Sequence, residues 1–391
     1  MAPRIAILFD NFGPYHIARM LGASAQLGVV AVEATPRGTE YGWDKPVVPA
    51  PLHYLPLAGT GTLREIVAEL DTKLAPLAPA AIALPGWSSR AAFAALIWAR
   101  RHKVPAILMS ETNGWDFARK PIAEWVKRRI VAHYSAGLVT SDAQARYLVD
   151  LGLKEAAIFR GYNAVDNAYF ARAAADAKMP EGLPDAFRGR YFLTSNRFIE
   201  KKNLARLLDA YAAFRRERSG DAADWPLVLL GDGALRAALE VQRTTLGLER
   251  HVLMPGFRQI DELPRFYGTA GAFVHASTTE QWGLVVNEAM ASGLPVAISN
   301  RCGCAEVLVE DGVTGLLFDP HDTVAITRAL TRLTATGESA AFAAHGRARV
   351  DAWGPARFGN GMADAVRAAI VAPAGPNGID RMVLNLVARR R

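Results

Sequence analysis

The chain has 391 residues, 51% of them hydrophobic and 21% charged, enough apolar material for two domains of ordinary size and too much for a disordered chain. Lys and Arg number 45 against 38 Asp and Glu, a net charge of +7; this mild excess suits anionic ligands or an anionic membrane surface and is too diffuse for a nucleic-acid binder. The two cysteines, Cys302 and Cys304, are too close to bridge without strain and too few for a zinc site, which fits a reduced, cytoplasmic setting.

The N-terminus, MAPRIAILFD, runs straight into an apolar run with no cationic stretch before it, so no signal peptide is expected. No apolar stretch is long enough to span a bilayer. Strand candidates follow in order: RIAILF (4–9), VVAVE (29–33), AAIAL (80–84), PAILMS (105–110), AGLVT (136–140) and AAIFR (156–160). Helix-length stretches lie between several of them, at 61–75, 88–103, 119–134 and 141–152. Continuous apolar strands alternating with helices predict a parallel sheet covered on both faces.

Residues 165–189 break this pattern: they show no sustained period and hold Pro180, Gly182 and Pro184, so 166–189 reads as an interdomain linker. The alternation then restarts with YFLTS (191–195), PLVLLG (226–231), HVLMPG (251–256), GAFVHAS (271–277), PVAIS (295–299) and GLLF (315–318). The fold class is therefore α/β, with two Rossmann-like, doubly wound parallel-sheet domains facing across a cleft. Their expected bounds are 1–165 and 190–355, followed by a helix at 356–372 and a basic tail at 373–391. That tail, IDRMVLNLVARRR, reads either as a frayed, solvated end or as a weak membrane contact through Met382, Leu384 and Leu386 beside Arg389, Arg390 and Arg391.

Open α/β sheets bind ligands beyond the carboxyl ends of their strands. In the second domain the unusual residues stand in those places. After YFLTS, Arg197 and then Lys201 and Lys202 precede a helix, an arrangement suited to a diphosphate; the alternative is a solvated turn in which Glu200 pairs a lysine. Gly231 and Gly233 in GDG would let backbone approach a ligand, and MPGF (254–257) closes the next strand in the same way. In TTEQWGLVVNEAMASG (278–293), Glu280 sits at a strand end, while Trp282, Gly283 and Leu284 bring bare helix N–H groups to the same point. Glu288, inside an apolar helix, would be costly to bury without partners, and a pair of ribose hydroxyls would satisfy it. The bland alternative has Glu280 as a cap and Glu288 on a wet face. After PVAIS, Gly303 and a short helix start at Ala305 offer further donors, and the cysteines read as small packing residues.

The segments SNRFIEKKN, LLGDGAL, MPGF and EQWGLVVNEAMASGLPV, followed by GCAEVLVEDGVTGLLF, resemble the donor domain of retaining GT-B glycosyltransferases of family 4. The E-x7-E spacing of Glu280 and Glu288, with Gly283 and Pro295 in place, is the most specific feature. The resemblance is strong over 190–320, and GYNAVDNAYF (161–170) resembles the family's pre-linker motif. It implies that Arg197 and Lys202 bind the donor diphosphate and, with Glu280 on the sugar hydroxyls, form the catalytic group. Gly231, Phe257, Gln281, Trp282, Gly283, Leu284 and Glu288 would complete the donor site, Glu288 on the ribose.

On the acceptor side the match is poorer. The family's glycine pair after the first strand is represented by Gly13 alone in DNFGPYHIARM, with His16 lining that side. Its His-x-Pro segment has no counterpart beyond SETNGWD (110–116). The final helix would cross back to the N-terminal domain. No metal and no cofactor are expected, only a nucleotide-diphosphate sugar as co-substrate. The acceptor would be a glycan, a lipid-linked saccharide or a small molecule. The cluster Arg100, Arg101, Lys103, Lys120, Trp125, Lys127, Arg128 and Arg129 is either a solvated helix face or a peripheral membrane contact suited to a lipid-linked acceptor. Rival readings are a sugar-nucleotide epimerase or phosphorylase on the same plan, a dinucleotide oxidoreductase and a non-catalytic binder. The oxidoreductase lacks its G-x-G-x-x-G after either first strand.

Overall fold

The computed structural model describes residues 2–36, 42–114, 119–218 and 225–390. The chain divides into two compact units, 1–165 with 355–391, and 166–354. The first unit opens with β1 (Arg4–Phe9), α1 (Pro14–Ser24), β2 (Gly28–Glu33), β3 (His53–Pro56), α2 (Leu63–Lys73) and β4 (Ala81–Leu84). It continues through α3 (Arg90–His102), β5 (Ala106–Met109), α4 (Pro121–Val131), β6 (Ala136–Val139), α5 (Asp142–Asp150) and β7 (Ile158–Arg160). The second unit holds α6 (Asn167–Ala175), β8 (Phe192–Ser195), α7 (Leu204–Glu217), β9 (Leu227–Leu230), α8 (Arg236–Thr245), β10 (Val252–Gly256) and α9 (Leu263–Thr269). After these come β11 (Ala272–His275), α10 (Leu284–Ala291), β12 (Val296–Ser299), α11 (Ala305–Leu308), β13 (Leu316–Phe318), α12 (Thr323–Leu333) and α13 (Thr336–Asp351). The chain then returns to the first unit as α14 (Pro355–Val371) and α15 (Gly378–Arg389).

Both sheets are parallel throughout, in the orders β3-β2-β1-β4-β5-β6-β7 and β10-β9-β8-β11-β12-β13. Their central strands carry buried residues at every position, as a sheet covered on both faces requires. In the first sheet, Ala6, Leu8, Val30 and Val32 point into a core shared with α2 and α3. Ile5, Ile7, Val29 and Ala31 point into one shared with α1 and α14. Phe358, Met362 and Val366 of α14 have no exposed surface, and burying each such side chain contributes about 1.5–3 kcal/mol, so α14 is an integral layer of this unit. Several helices start on capping boxes that are legible in the sequence, among them Thr62 with Glu65 and Ser141 with Gln144.

Three expectations need correction. The first sheet has a strand that the apolar pattern missed, β3, because it is a four-residue edge strand ending in Pro56 and paired only to β2. Residues 166–189 are not merely a linker. Asp166 caps α6, whose Phe170 is buried edge-on against Tyr267 of α9, so this segment is part of the second unit. The tail is not frayed either. Asn377 and Asp380 form a capping box at the start of α15, and Val383 and Leu384 are buried against the first unit. Arg391 lies outside the described residues. Among those described, no helix is long and apolar enough to cross a membrane.

Candidate functional site

In the second sheet the strand order reverses between β8 and β11, the switch point beside which open α/β sheets bind ligands. The β8 loop carries Arg197, exposed, and a turn of 3-10 helix at Glu200–Lys202. The β11 loop carries Glu280. The two loops meet through an ion pair in which the Lys202 ammonium donates to Glu280 Oε2. Its side chains are only 12% and 13% exposed, so water screens the pair little. Lys201 Nζ lies 3.8 Å from the other carboxylate oxygen, and His275 Nε2 lies 3.7 Å from Oε2. Burial pushes the Glu280 pKa up, but the facing His275 ring and the Lys202 charge outweigh it and hold the carboxyl well below the ordinary range. Glu280 is therefore a permanent anion at neutral pH.

Backbone pairing fixes this acid in place. Glu280 N donates to Arg301 O (3.2 Å), Gly303 N to Glu280 O (2.9 Å) and Cys304 N to Trp282 O (3.0 Å), zipping the β11 loop to the β12 loop. A Cβ on Gly303 would stand 1.9 Å from Gln281 O, so only glycine permits the approach. Asn203, in the left-handed region at φ 56°, donates to Ala276 O (3.1 Å) and Pro320 O (2.8 Å), tying Lys202 to the same strand ends. Neither Asn203 nor His275 was singled out from the sequence. The signal for His275 was a lone polar residue ending the apolar strand AFVH. It has no exposed surface, and its Nε2 is 3.1 Å from Ser277 Oγ. Burial first, and the two lysines next, lower its pKa, so the ring that faces Glu280 is neutral.

Gly283 caps α10 with φ 103°, and Leu284 begins the helix. Gln281, Gly283 and Leu284 are partly exposed around this helix start. Phe257 is 38% exposed just after β10. Three other residues are enclosed by the chain. Trp282 is buried, its indole N–H donating to Asn287 Oδ1 (2.9 Å) and its ring 5.2 Å from Trp353, so only its backbone can face a ligand. Gly231 packs its backbone against the loop after β8, at φ 129° and crowded by Asn196 O. Glu288 lies on no wet face and has no exposed surface; Tyr267 Oη donates to its Oε2 at 2.7 Å, joining α10 to α9 and supplying a partner that burial of the acid requires. Cys302 and Cys304 are buried free thiols whose pKa values burial raises.

In the first unit, a cavity of about 300 Å³ opens at the carboxyl ends of β1 and β2, lined by Asp10, Thr35, Thr60, Ser89 and Arg90 among others. Gly13 and His16 are not in its lining. Gly13 N donates to His16 Nδ1 (3.0 Å), so His16 caps α1, and its ring lies 4.3 Å from that of Phe9. A Cβ on Gly13 would meet protein atoms only at ordinary contact distances of 3.7 Å and beyond, so packing within the chain does not demand glycine there. Of SETNGWD, Trp115 and Asp116 lie outside the described residues. Burial, with the charge of Arg19, lowers the His16 pKa from 6.5 to about 3. Between those values the unfolded chain binds a proton that the folded chain refuses, so stability falls as pH drops through that window. His16→Asn, whose Oδ1 can accept the same N–H, is expected to reduce the fall in melting temperature between about pH 7 and about pH 4. An unchanged fall would show that His16 does not couple to folding.

Among the described residues, no three His, Cys, Asp or Glu side chains are grouped to hold a metal ion.

Two doubly wound parallel sheets, the second with cations and a carboxylate at its switch point, define a GT-B fold, and solved structures of that fold match the chain almost from end to end. HepE from Anabaena, in a complex with UDP and glucose, aligns over 94% of this chain and 100% of its own, with a TM-score of 0.71 at 19% identity. Sucrose-phosphate synthase from Thermosynechococcus elongatus aligns over 94% and 99%, with a TM-score of 0.71 at 21% identity. The chain belongs to the glycosyl transferases group 1: that family's model matches residues 183–347, and the glycosyl transferase 4-like domain matches residues 14–161. The lipopolysaccharide core biosynthesis glycosyltransferase LpsE of Rhizobium meliloti is 32% identical over 37% of this chain and 39% of its own length. A GDP-mannose-dependent phosphatidylinositol monomannoside mannosyltransferase of Mycolicibacterium smegmatis is 30% identical over 44% and 50%. The chain thus spans half or less of the length of these two curated relatives.

Proposed function

We propose that the chain is a retaining hexosyltransferase. It moves a sugar from a nucleotide-diphosphate donor to a hydroxyl of a glycan, a lipid-linked saccharide or a small molecule, with no resident metal or cofactor. The observation that carries this reading is the largely enclosed Lys202–Glu280 pair at the β8/β11 switch point, with Lys201 beside it and Arg197 at the same strand end. A nucleotide donor is supported by the UDP and glucose of the HepE structure and the GDP-mannose dependence of the mycobacterial relative. A reducing compartment such as the cytoplasm suits the two buried free thiols.

When the donor binds, its diphosphate competes for Lys202 and Arg197, and Glu280, still ionised, turns to the sugar hydroxyls. The bond from sugar C1 to the phosphate oxygen breaks, and negative charge builds on the leaving diphosphate while the sugar becomes oxocarbenium-like. Fixed cations and the N–H groups at the start of α10 stabilise that charge as it forms. The acceptor oxygen attacks the face from which the diphosphate leaves, and a phosphate oxygen takes the acceptor's proton. Configuration is thereby retained without an enzyme nucleophile. Glu288 would receive the ribose, and this contact requires the side chains over Glu288 to give way. The acceptor enters at the cavity of the first unit, whose hydroxyls and Asp10 suit a polyol.

A panel of nucleotide sugars tests the reading by thermal shift and by nucleotide release. A true donor at about a hundredfold excess over its Kd adds about 2.7 kcal/mol of stability, a shift of several degrees. Release is expected to persist in excess chelator. A panel that shifts nothing and releases nothing contradicts transfer, whereas release abolished by chelator removes the metal-free part alone.

A further inference from the structure

Among the described residues, thirteen large hydrophobic side chains are left exposed, and seven of them belong to α4, the end of α14, and α15. On α15 they form a stripe one turn apart: Ile379, Met382 and Leu386, each about half exposed. The adjoining face of α15 is spent on the fold through Asp380, Val383 and Leu384. This helix therefore has two apolar faces, and a solvated surface helix needs only one. On α4, Ile122 is 81% and Trp125 44% exposed.

The two helices pack together, although some 250 residues separate them in the chain. Arg129 of α4 lies over the Trp125 ring (5.5 Å) and donates to Asp380 Oδ1 of α15 (3.2 Å), while His133 Nε2 meets Asp380 O (3.1 Å). Charge around the stripes is of one sign. Arg128, Arg381, Arg389 and Arg390 are exposed, and Arg100 is close enough to Arg381 for that charge to add to burial in lowering its pKa. The nearest acid on α4, Glu124, is paired with Lys127, and Asp380 is consumed by Arg129. Both family models leave α15 out, since their matches end at residues 161 and 347.

We infer that α4 and α15 together form a docking face for an anionic lipid surface, with Ile379, Met382, Leu386 and Trp125 entering the headgroup boundary and the arginines meeting lipid phosphates. Charge complementarity selects this occupant: a second copy of the chain would set arginine against arginine, whereas an anionic bilayer matches both the apolar stripe and its cationic border. The sequence alone offers two separate basic-apolar stretches; the structure joins them and replaces Leu384, which is buried, with Ile379. The inference rests on the proposed transfer only in favouring a lipid-linked acceptor.

Co-sedimentation with vesicles of phosphatidylglycerol and phosphatidylcholine in equal parts tests it. The chain is expected to pellet with these vesicles at low salt and at least about tenfold less at about 0.5 M salt, where charges are screened beyond a few ångströms. Met382→Glu with Leu386→Glu is expected to reduce binding about tenfold or more. Val241→Glu, at a residue of the second unit that is still more exposed, is expected to change nothing. All these variants should keep the parental melting temperature and nucleotide release, because the replaced side chains are half exposed or more and outside the donor site. Wild-type protein that stays in the supernatant, a double variant that binds like wild type, or a wild-type dimer that the double variant dissolves would each overturn the docking face. Loss of nucleotide release in wild type would strike the transferase reading and leave vesicle binding untouched.

Discussion

Lys202→Ala is expected to lower turnover by about two orders of magnitude or more, the scale for deleting one preorganised electrostatic group from a catalytic site. The side chain is 12% exposed and held by Glu280, so it cannot be replaced by a mobile surface lysine. Lys201, at 3.8 Å from the same carboxylate and 36% exposed, is the nearest substitute, and its longer reach is why some residual rate should persist. Lys202→Arg keeps the charge but spreads it over a planar fork, and it should recover only part of the loss. Both variants are to be compared by nucleotide release at saturating donor, with melting curves to show that the fold survives. Near-normal release by Lys202→Ala would remove this residue from the mechanism.

Gly231→Ala is expected to give the largest loss of stability of any single methyl addition in the second unit, about 3–5 kcal/mol or outright failure to fold. Gly231 has φ 129°, and an added Cβ would stand 1.8 Å from Asn196 O, a backbone atom that cannot step aside. The clash falls where the loop carrying Arg197 leaves β8, so donor binding should fail together with folding. Gly247→Ala is the control. It also has positive φ, at 67°, but open space around it, so only about 1 kcal/mol of backbone strain is expected. Urea unfolding of the two variants separates crowding from strain, and equal losses would refute the crowding.

The second sheet was legible because each of its strands is a short apolar run, buried at its core, with Gly, a cation or a carboxylate at its end. The Lys202–Glu280 meeting was legible only in part. Sequence placed both residues after strands, whereas their direct pairing depends on β8 and β11 being neighbours, which no local pattern encodes. Asn203 escaped notice because its two hydrogen bonds reach residues more than seventy positions away, and His275 because its role depends on the loop after β11 folding back over the strand end. Glu288 was legible as a buried acid that needs partners, but its partner within the fold was not: Tyr267, more than twenty positions earlier, donates to it. α15 was taken for a tail because its helical period is short and its apolar residues serve two faces, so the pattern resembles neither a buried nor a surface helix.

The most direct measurement is the anomeric configuration of the transferred sugar, followed by proton NMR from the first turnovers with a donor that the nucleotide-sugar panel selects. A product with the same configuration as the donor is expected under the proposed front-face transfer, in which Lys202 and Arg197 stabilise the departing diphosphate and no enzyme base is assigned on the opposite face of the sugar. A product of inverted configuration would contradict the proposed transfer at its centre.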